Sequence, residues 1–454
     1  MCKLSHIAGK KRAVHSLCFL FVILASVSQA SATTDLDSPL ILSKDHEMVV
    51  QKLIDGLNRP SGMEFVNGDI LIIERDSGQV KLINDFKIKK YPIADLNLFG
   101  STRENGHTVG ITASKTADGQ FYLFLSYLKN TSSGAENMTS KYALTSEIYR
   151  YDLNLTGLGI ENPFLVLDVP QRPNSTVDSV GGKILADSDQ YIYTVVEASE
   201  SVDGNSTSKE RIGSPNCIAS SKPSTLFRTS ITSDPFNSPQ YPGNDKIYVC
   251  SPSNPSLAID PLTGNLWAAG HQKNTSQFDI IFPAHGTKYY QGCTYTNDSN
   301  KSCHFREPRF IFPNSNFTGI TFANSTKLLS DSQNSLLISD LEGNIHWFKL
   351  NSAHSDLMEY QKLGTGFGPI SDIKFGPDGA LYVLTFSNSS VSDGKNQLNE
   401  RTGALFRISN DRIPLPYYES IIAYADSIGL AGILGIVVTI TIVCLILRHK
   451  RKHV

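Results

Sequence analysis

The chain has 454 residues, 19% of them charged and 40% hydrophobic, with 41 basic side chains against 43 acidic ones. A formal net charge of −2 offers neither the basic field that holds nucleic acid nor an acidic tail. A body this long exceeds the usual single compact domain unless it forms a closed repeat fold.

The first predicted element is a secretory signal peptide over residues 1–32. It has the basic run Lys10, Lys11 and Arg12, an apolar stretch from Leu17 to Val27, and small residues Ala30, Ser31 and Ala32 at the cut site. An exported surface fits the N-x-S/T sequons at Asn130, Asn137, Asn154, Asn174, Asn205, Asn274, Asn297, Asn300, Asn316, Asn324 and Asn388, none interrupted by proline.

Along the body, internal self-similarity is the main signal. The segments GMEFVNGDILIIERDSGQVKLI, VGITASKTADGQFYLFLSY, GGKILADSDQYIYTVVEAS, SLAIDPLTGNLWAAGHQ, LLSDSQNSLLISDLEGNIHWFKL and DIKFGPDGALYVLTFSN share one plan. An apolar strand enters a turn rich in Asp, Asn and Gly, and a second apolar strand leaves it. SEIYRYDL, STLFRTS and GALFRIS read as third strands. Asn67-Gly68, Asp118-Gly119 and Asp378-Gly379 supply the positive φ that tight hairpins need. Units of this kind at roughly fifty to seventy residues predict an all-β, six-bladed β-propeller. An array of β-sandwiches is the alternative architecture.

Of the seven cysteines, Cys2 and Cys18 lie in the signal peptide and Cys444 in the C-terminal apolar run. Cys217, Cys250, Cys293 and Cys303 remain for an oxidising compartment, with Cys293–Cys303 the expected short-loop disulfide and Cys217–Cys250 a second candidate. No Cys/His spacing marks a zinc site.

The propeller is expected over residues 33–410. A linker with Pro414 and Pro416 follows over 411–426, then a transmembrane helix over 427–447 and a basic tail over 448–454. The charge-free run from Ile428 to Leu447 is about long enough to cross a bilayer at ~1.5 Å per residue. The tail Arg448, His449, Lys450, Arg451, Lys452 and His453 stays on the cytoplasmic side, leaving the propeller outside on a single-pass anchor.

GLNRPSGMEF with ILIIERDSGQVKLI, SNPSLAIDPLTGNLW, and DIKFGPDGALYVLT followed by GALFRIS fall in the order of one family and in different blades. From about Gly56 to Ser409 the chain resembles the glucose/sorbosone dehydrogenases, quinoprotein propellers. The resemblance implies pyrroloquinoline quinone and calcium at one mouth of a six-bladed propeller, and oxidation of sugar hydroxyls.

The same resemblance exposes departures. Where the family reads H-x-G-G, with the histidine as general base, this chain keeps Gly181 and Gly182 but has Ser179. Where the family reads R-N-P, with arginine on the quinone carboxylates, this chain has Ser253, Asn254 and Pro255. The calcium loop keeps only His271, and R-x-R-D is matched by Pro369, Ile370, Ser371 and Asp372. The E-G-G-L-L-G stretch is approximated from Glu104 to Gly110.

Ser179, Gly181, Gly182, Ser253, Asn254 and Glu104 are therefore the candidate cofactor-facing residues, and no metal ligand set is identified. The reading these departures favour is a degenerate quinone site on a membrane-anchored glycoprotein that binds carbohydrate or a protein of the cell envelope. The alternative is an active sugar dehydrogenase dependent on pyrroloquinoline quinone and calcium. There His107 or His271 would replace the base, and Glu104, Asp178 or Glu197 would supply oxygen ligands. His107 and His271 equally suit ordinary rim histidines, and Glu197 a solvated strand end. A lactonase on a similar propeller is a third reading, for which no ligand residues stand out.

Overall fold

The structure is a computed structural model that describes residues 40–41, 48–75, 77–96, 106–130, 144–157, 159–170, 183–187, 191–197, 222–231, 244–251, 253–272, 275–282, 292–293, 303–304, 310–313, 315–323, 328, 335–386 and 403–411. Among them there are strands and turns and no α-helix. The expected signal peptide, linker, transmembrane segment 427–447 and tail lie outside the described residues. Among the described residues no helix is long and apolar enough to cross a membrane.

The strands form antiparallel meanders, each beginning with an inner strand and working outward. The first sheet holds Pro60–Val66, Asp69–Glu74, Gln79–Asn84 and Lys87–Ile88, with Ala94–Asp95 beside the third strand. The second holds Gly106–Lys115, Phe121–Asn130, Leu144–Asn154 and Gly159–Pro170, and the third Ile184–Ala186, Tyr191–Glu197, Lys222–Ser230 and Asn244–Ser251. The fourth runs Ser253–Ile259, Leu266–Gln272, Thr275–Phe282 and Phe310–Pro313. The fifth runs Phe317–Phe322, Ser335–Asp340, Ile345–Leu350 and Leu357–Thr365, with Leu40–Ile41 on its edge. The sixth runs Ile370–Phe375, Leu381–Thr385, Gly403–Ser409 and, from the other end of the chain, Val49–Leu57.

Packing places these sheets around a common axis. The inner strands touch in chain order, and Ile370–Phe375 of the sixth sheet meets Pro60–Val66 of the first. An apolar layer fills each space between neighbours. Leu71, Ile73 and Val80 of the first sheet pack on Ile111, Leu123 and Leu125 of the second. Trp267 and Phe278 of the fourth pack on Phe317, Leu336 and Phe348 of the fifth. Leu384 and Leu405 of the sixth close against Met63, Ile70 and Ile72 of the first. A sheet covered on both faces loses the alternation of a half-exposed strand, and Ser335–Asp340 and Gly403–Ser409 are buried at every position. The fold is an all-β propeller; a row of sandwiches would not bring the last sheet back to the first.

Hydrogen bonds close the ring between the two ends of the chain. Val49–Leu57 pairs with Gly403–Ser409, from Val49 opposite Ser409 to Leu57 opposite Gly403. Below this joint the buried guanidinium of Arg407 donates to Asp378 Oδ2 at 2.8 Å and to Asp411 Oδ1 at 2.9 Å. Local turn chemistry sets the hairpins. Val66 pairs with Asp69 across Asn67 and Gly68, whose φ values of 52° and 91° match the two-residue turn preferred by twisted strands.

A fully buried histidine–carboxylate contact ties the fourth sheet to the fifth. His354 Nδ1 lies 2.7 Å from Asp260 Oδ2, with neither side chain exposed, and Phe322 stacks on the imidazole at 5.8 Å. Outside the six meanders, Gly292–Cys293 and Cys303–His304 form a ribbon that sets Cys293 directly opposite Cys303. Cys250 lies on the outer strand of the third sheet, while Cys217 is outside the described residues.

Candidate functional site

One irregularity recurs around the axis. The inner strand slips register against its neighbour between Pro60 and Gly62, Thr108 and Gly110, Ser253 and Ser256, Phe317 and Gly319, and Ile370 and Asp372. A bulge leaves a residue unpaired and re-aims the groups beside it. Here the bulges lie near the start of the inner strands, at one end of the central channel. Small residues allow it: a Cβ on Gly319 would sit 2.7 Å from Ser339 Oγ and 3.1 Å from the backbone nitrogen of Ile373.

Charged side chains cross the channel just inside these bulges. Lys183 Nζ donates to the carbonyl of Ser371 at 2.7 Å and to that of Thr318 at 3.0 Å, and lies 3.6 Å from Asp372 Oδ1. Asp372 is itself held by two backbone donors, Met63 N to Oδ2 at 3.0 Å and Ile373 N to Oδ1 at 3.1 Å. Lys374 Nζ meets Glu64 Oε2 at 2.7 Å, and the same oxygen accepts from Thr112 Oγ1 at 3.1 Å. Thr112 Oγ1 in turn accepts from Ala186 N at 3.1 Å. Gly62, Gly110, Ile111, Ser256, Leu257 and Ile320 complete the wall. The enclosed space is about 30 Å³, room for a few water molecules.

The electrostatics follow from this pairing. Burial pushes the Lys183 amine below the usual lysine range, and the Asp372 carboxylate opposes the shift. For Lys374, burial also disfavours the charge, but Glu64 and then Asp372 outweigh it, and its ammonium is held above the usual range. Two cations face two carboxylates, so among the described residues these four channel side chains carry no surplus charge.

The structure places the sequence-predicted residues unevenly. Ser253 and Asn254 lie at the bulge that opens the inner strand of the fourth sheet, and Ser253 stands directly opposite His271. His107 is on the inner strand of the second sheet, opposite Leu128, and Glu197 ends the second strand of the third sheet, opposite Ser224. Glu104, Asp178, Ser179, Gly181 and Gly182 lie outside the described residues. Lys183, Lys374, Glu64 and Thr112 are absent from the sequence-based set. Their signal is the repeat Gly62-Met63-Glu64, Gly110-Ile111-Thr112, Asp372-Ile373-Lys374, which puts a polar residue two positions beyond a small or acidic one.

A quinone bearing carboxylates requires unspent cations, and calcium requires several oxygen ligands. The two channel lysines are already neutralised, and among the described residues no three His, Cys, Asp or Glu side chains gather as a metal site. Lys183 and Lys374 therefore offer no unspent cation to a quinone bearing carboxylates.

Known proteins agree on the scaffold. No curated protein sequence matches the chain. Among solved structures, an oxidoreductase described as a glucose dehydrogenase from Thermus thermophilus is 20% identical with a TM-score of 0.54, over 80% of this chain and 99% of that one. The apo form of a soluble aldose sugar dehydrogenase from Escherichia coli gives 17% identity and 0.54, over 80% and 100%. A PQQ-bound aldose sugar dehydrogenase from Streptomyces coelicolor gives 18% and 0.51, over 82% and 98%. At such identities the likeness concerns the fold. The family model described as Glucose / Sorbosone dehydrogenase matches residues 57–392, well over half of the sequence, and the chain belongs to that family.

Proposed function

We propose that this chain keeps the family's propeller without its redox chemistry, and that its mouth binds carbohydrate or a protein of the cell envelope. In this reading the six sheets are six blades, displayed outside the cell by a single span over residues 427–447 after removal of residues 1–32. The sequons carry glycans on the exposed body.

The observation that carries the reading is the pairing of both described channel lysines. Lys183 and Lys374 are each matched by a carboxylate, which leaves neither lysine free for a polyanionic cofactor. Burying such an anion without paired charges costs more than a few contacts return. Ser179 and Ser253, where the family has His and Arg, support it from the sequence.

The test is a titration of the purified full-length protein with pyrroloquinoline quinone and calcium, followed by quinone absorbance. No saturable binding is expected at micromolar quinone, and Ser179→His with Ser253→Arg is expected to raise the affinity. Micromolar binding by the unmodified protein would instead favour the active dehydrogenase, with His107 and His271 the first bases to replace.

A further inference from the structure

We infer that the propeller axis is a built site for a monovalent cation, in which the ammonium of Lys183 is the resident ion. The inference concerns the channel wall and holds whichever way the mouth functions.

The site is made by the bulges. Slippage between Phe317 and Gly319 leaves Thr318 out of the ladder, and slippage between Ile370 and Asp372 does the same for Ser371. An unpaired residue in a bulge frees its carbonyl from the sheet. Both freed carbonyls converge on one point, and Lys183 Nζ occupies it at 3.0 and 2.7 Å.

Asp372 Oδ1, 3.6 Å away, provides the negative charge, and its carboxylate is anchored by Met63 N and Ile373 N. Oxygens from the fifth and sixth sheets thus surround a cation tethered to the third. Two carbonyls and a carboxylate are hard oxygen donors, the ligand chemistry of alkali and primary ammonium ions. Lys374 differs: Glu64 grips it through a carboxylate oxygen in place of backbone carbonyls.

Truncating the lysine should therefore leave a cation-shaped vacancy that soluble ions fill. Lys183→Ala is purified as the full chain and melted in methylammonium, potassium or tetramethylammonium chloride at equal ionic strength. In tetramethylammonium, which has no N–H and is too bulky to enter, the variant is expected to melt several degrees below the unmodified protein. Methylammonium and potassium are expected to recover at least half of that loss, saturably, while leaving the unmodified protein and Lys374→Ala unchanged relative to tetramethylammonium.

Equal melting of Lys183→Ala in all three salts would overturn the inference and reduce Lys183 to an ordinary ion-pair partner. Should the variant not accumulate folded, it is refolded from urea in each salt. A larger folded fraction in methylammonium than in tetramethylammonium supports the site, and equal fractions overturn it.

Discussion

Lys374 and Glu64, 310 positions apart in the chain, meet at 2.7 Å where the sixth sheet touches the first. The pair spans the joint at which the ring closes, and solvent reaches only 24% and 15% of the two side chains. Removing one member leaves the other poorly solvated and unpaired. Lys374→Met is expected to cost about 2–4 kcal/mol, at or below the usual cost of breaking a buried pair because some water remains. Adding Glu64→Gln should return part of it, a coupling of about 1–2 kcal/mol in a urea-denaturation cycle. Additive effects would mean that the two groups do not depend on each other.

Gly319 is expected to tolerate no side chain. Its Cβ would press against Ser339 Oγ and the backbone of Ile373, and backbone cannot rotate out of the way. Gly319→Val should lower stability by about 2–3 kcal/mol through overpacking. A denaturation midpoint within error of the unmodified protein would show that the inner strands have slack.

Much of this fold is legible in the sequence because its turns and strands are local. Asn67-Gly68 specifies a hairpin whatever the sheet around it, and an apolar run such as SLLISD announces a strand buried on both faces. The channel is less legible. Lys183 and Asp372 lie 189 positions apart and meet only because the ring brings the third sheet opposite the sixth. Resemblance points to the strand bearing Ser253 and to His271, which the fold sets side by side, but gives no hint that bulge carbonyls bind a lysine. A charge-free 427–447 run and an N-terminal leader are read from composition alone.

Acid should weaken the fifth sheet first. Asp340 is buried, which alone would raise its pKa. His346 Nε2 at 2.8 Å and two bonds from Asn344 outweigh that and hold it below the usual carboxylate range. A carboxyl whose folded pKa is depressed contributes stability above its unfolded pKa, near ~3.9, and loses it as pH falls through the folded value. Between about pH 5 and pH 3 the urea midpoint of the unmodified protein should therefore fall more steeply than that of Asp340→Asn. Parallel curves would show that Asp340 contributes nothing to the acid sensitivity.

Cys293 and Cys303 face each other across a two-stranded ribbon. Directly opposed residues on antiparallel strands have Cα atoms about 4.5–5.5 Å apart, within the usual range for a disulfide. Peptide mapping of the purified protein without reductant should recover the two cysteines in one cross-linked fragment. Recovery of both as free thiols would reject the bond.

Dye reduction shows whether the propeller has outlived the redox chemistry of its family. The full-length protein is incubated with excess pyrroloquinoline quinone and calcium, freed of unbound quinone, and assayed for reduction of an electron-accepting dye across a panel of aldoses. No sugar-dependent reduction above that of the quinone-free protein is expected. Sugar-dependent turnover by the unmodified chain, abolished by His271→Ala or His107→Ala, would show instead that the mouth is a working dehydrogenase.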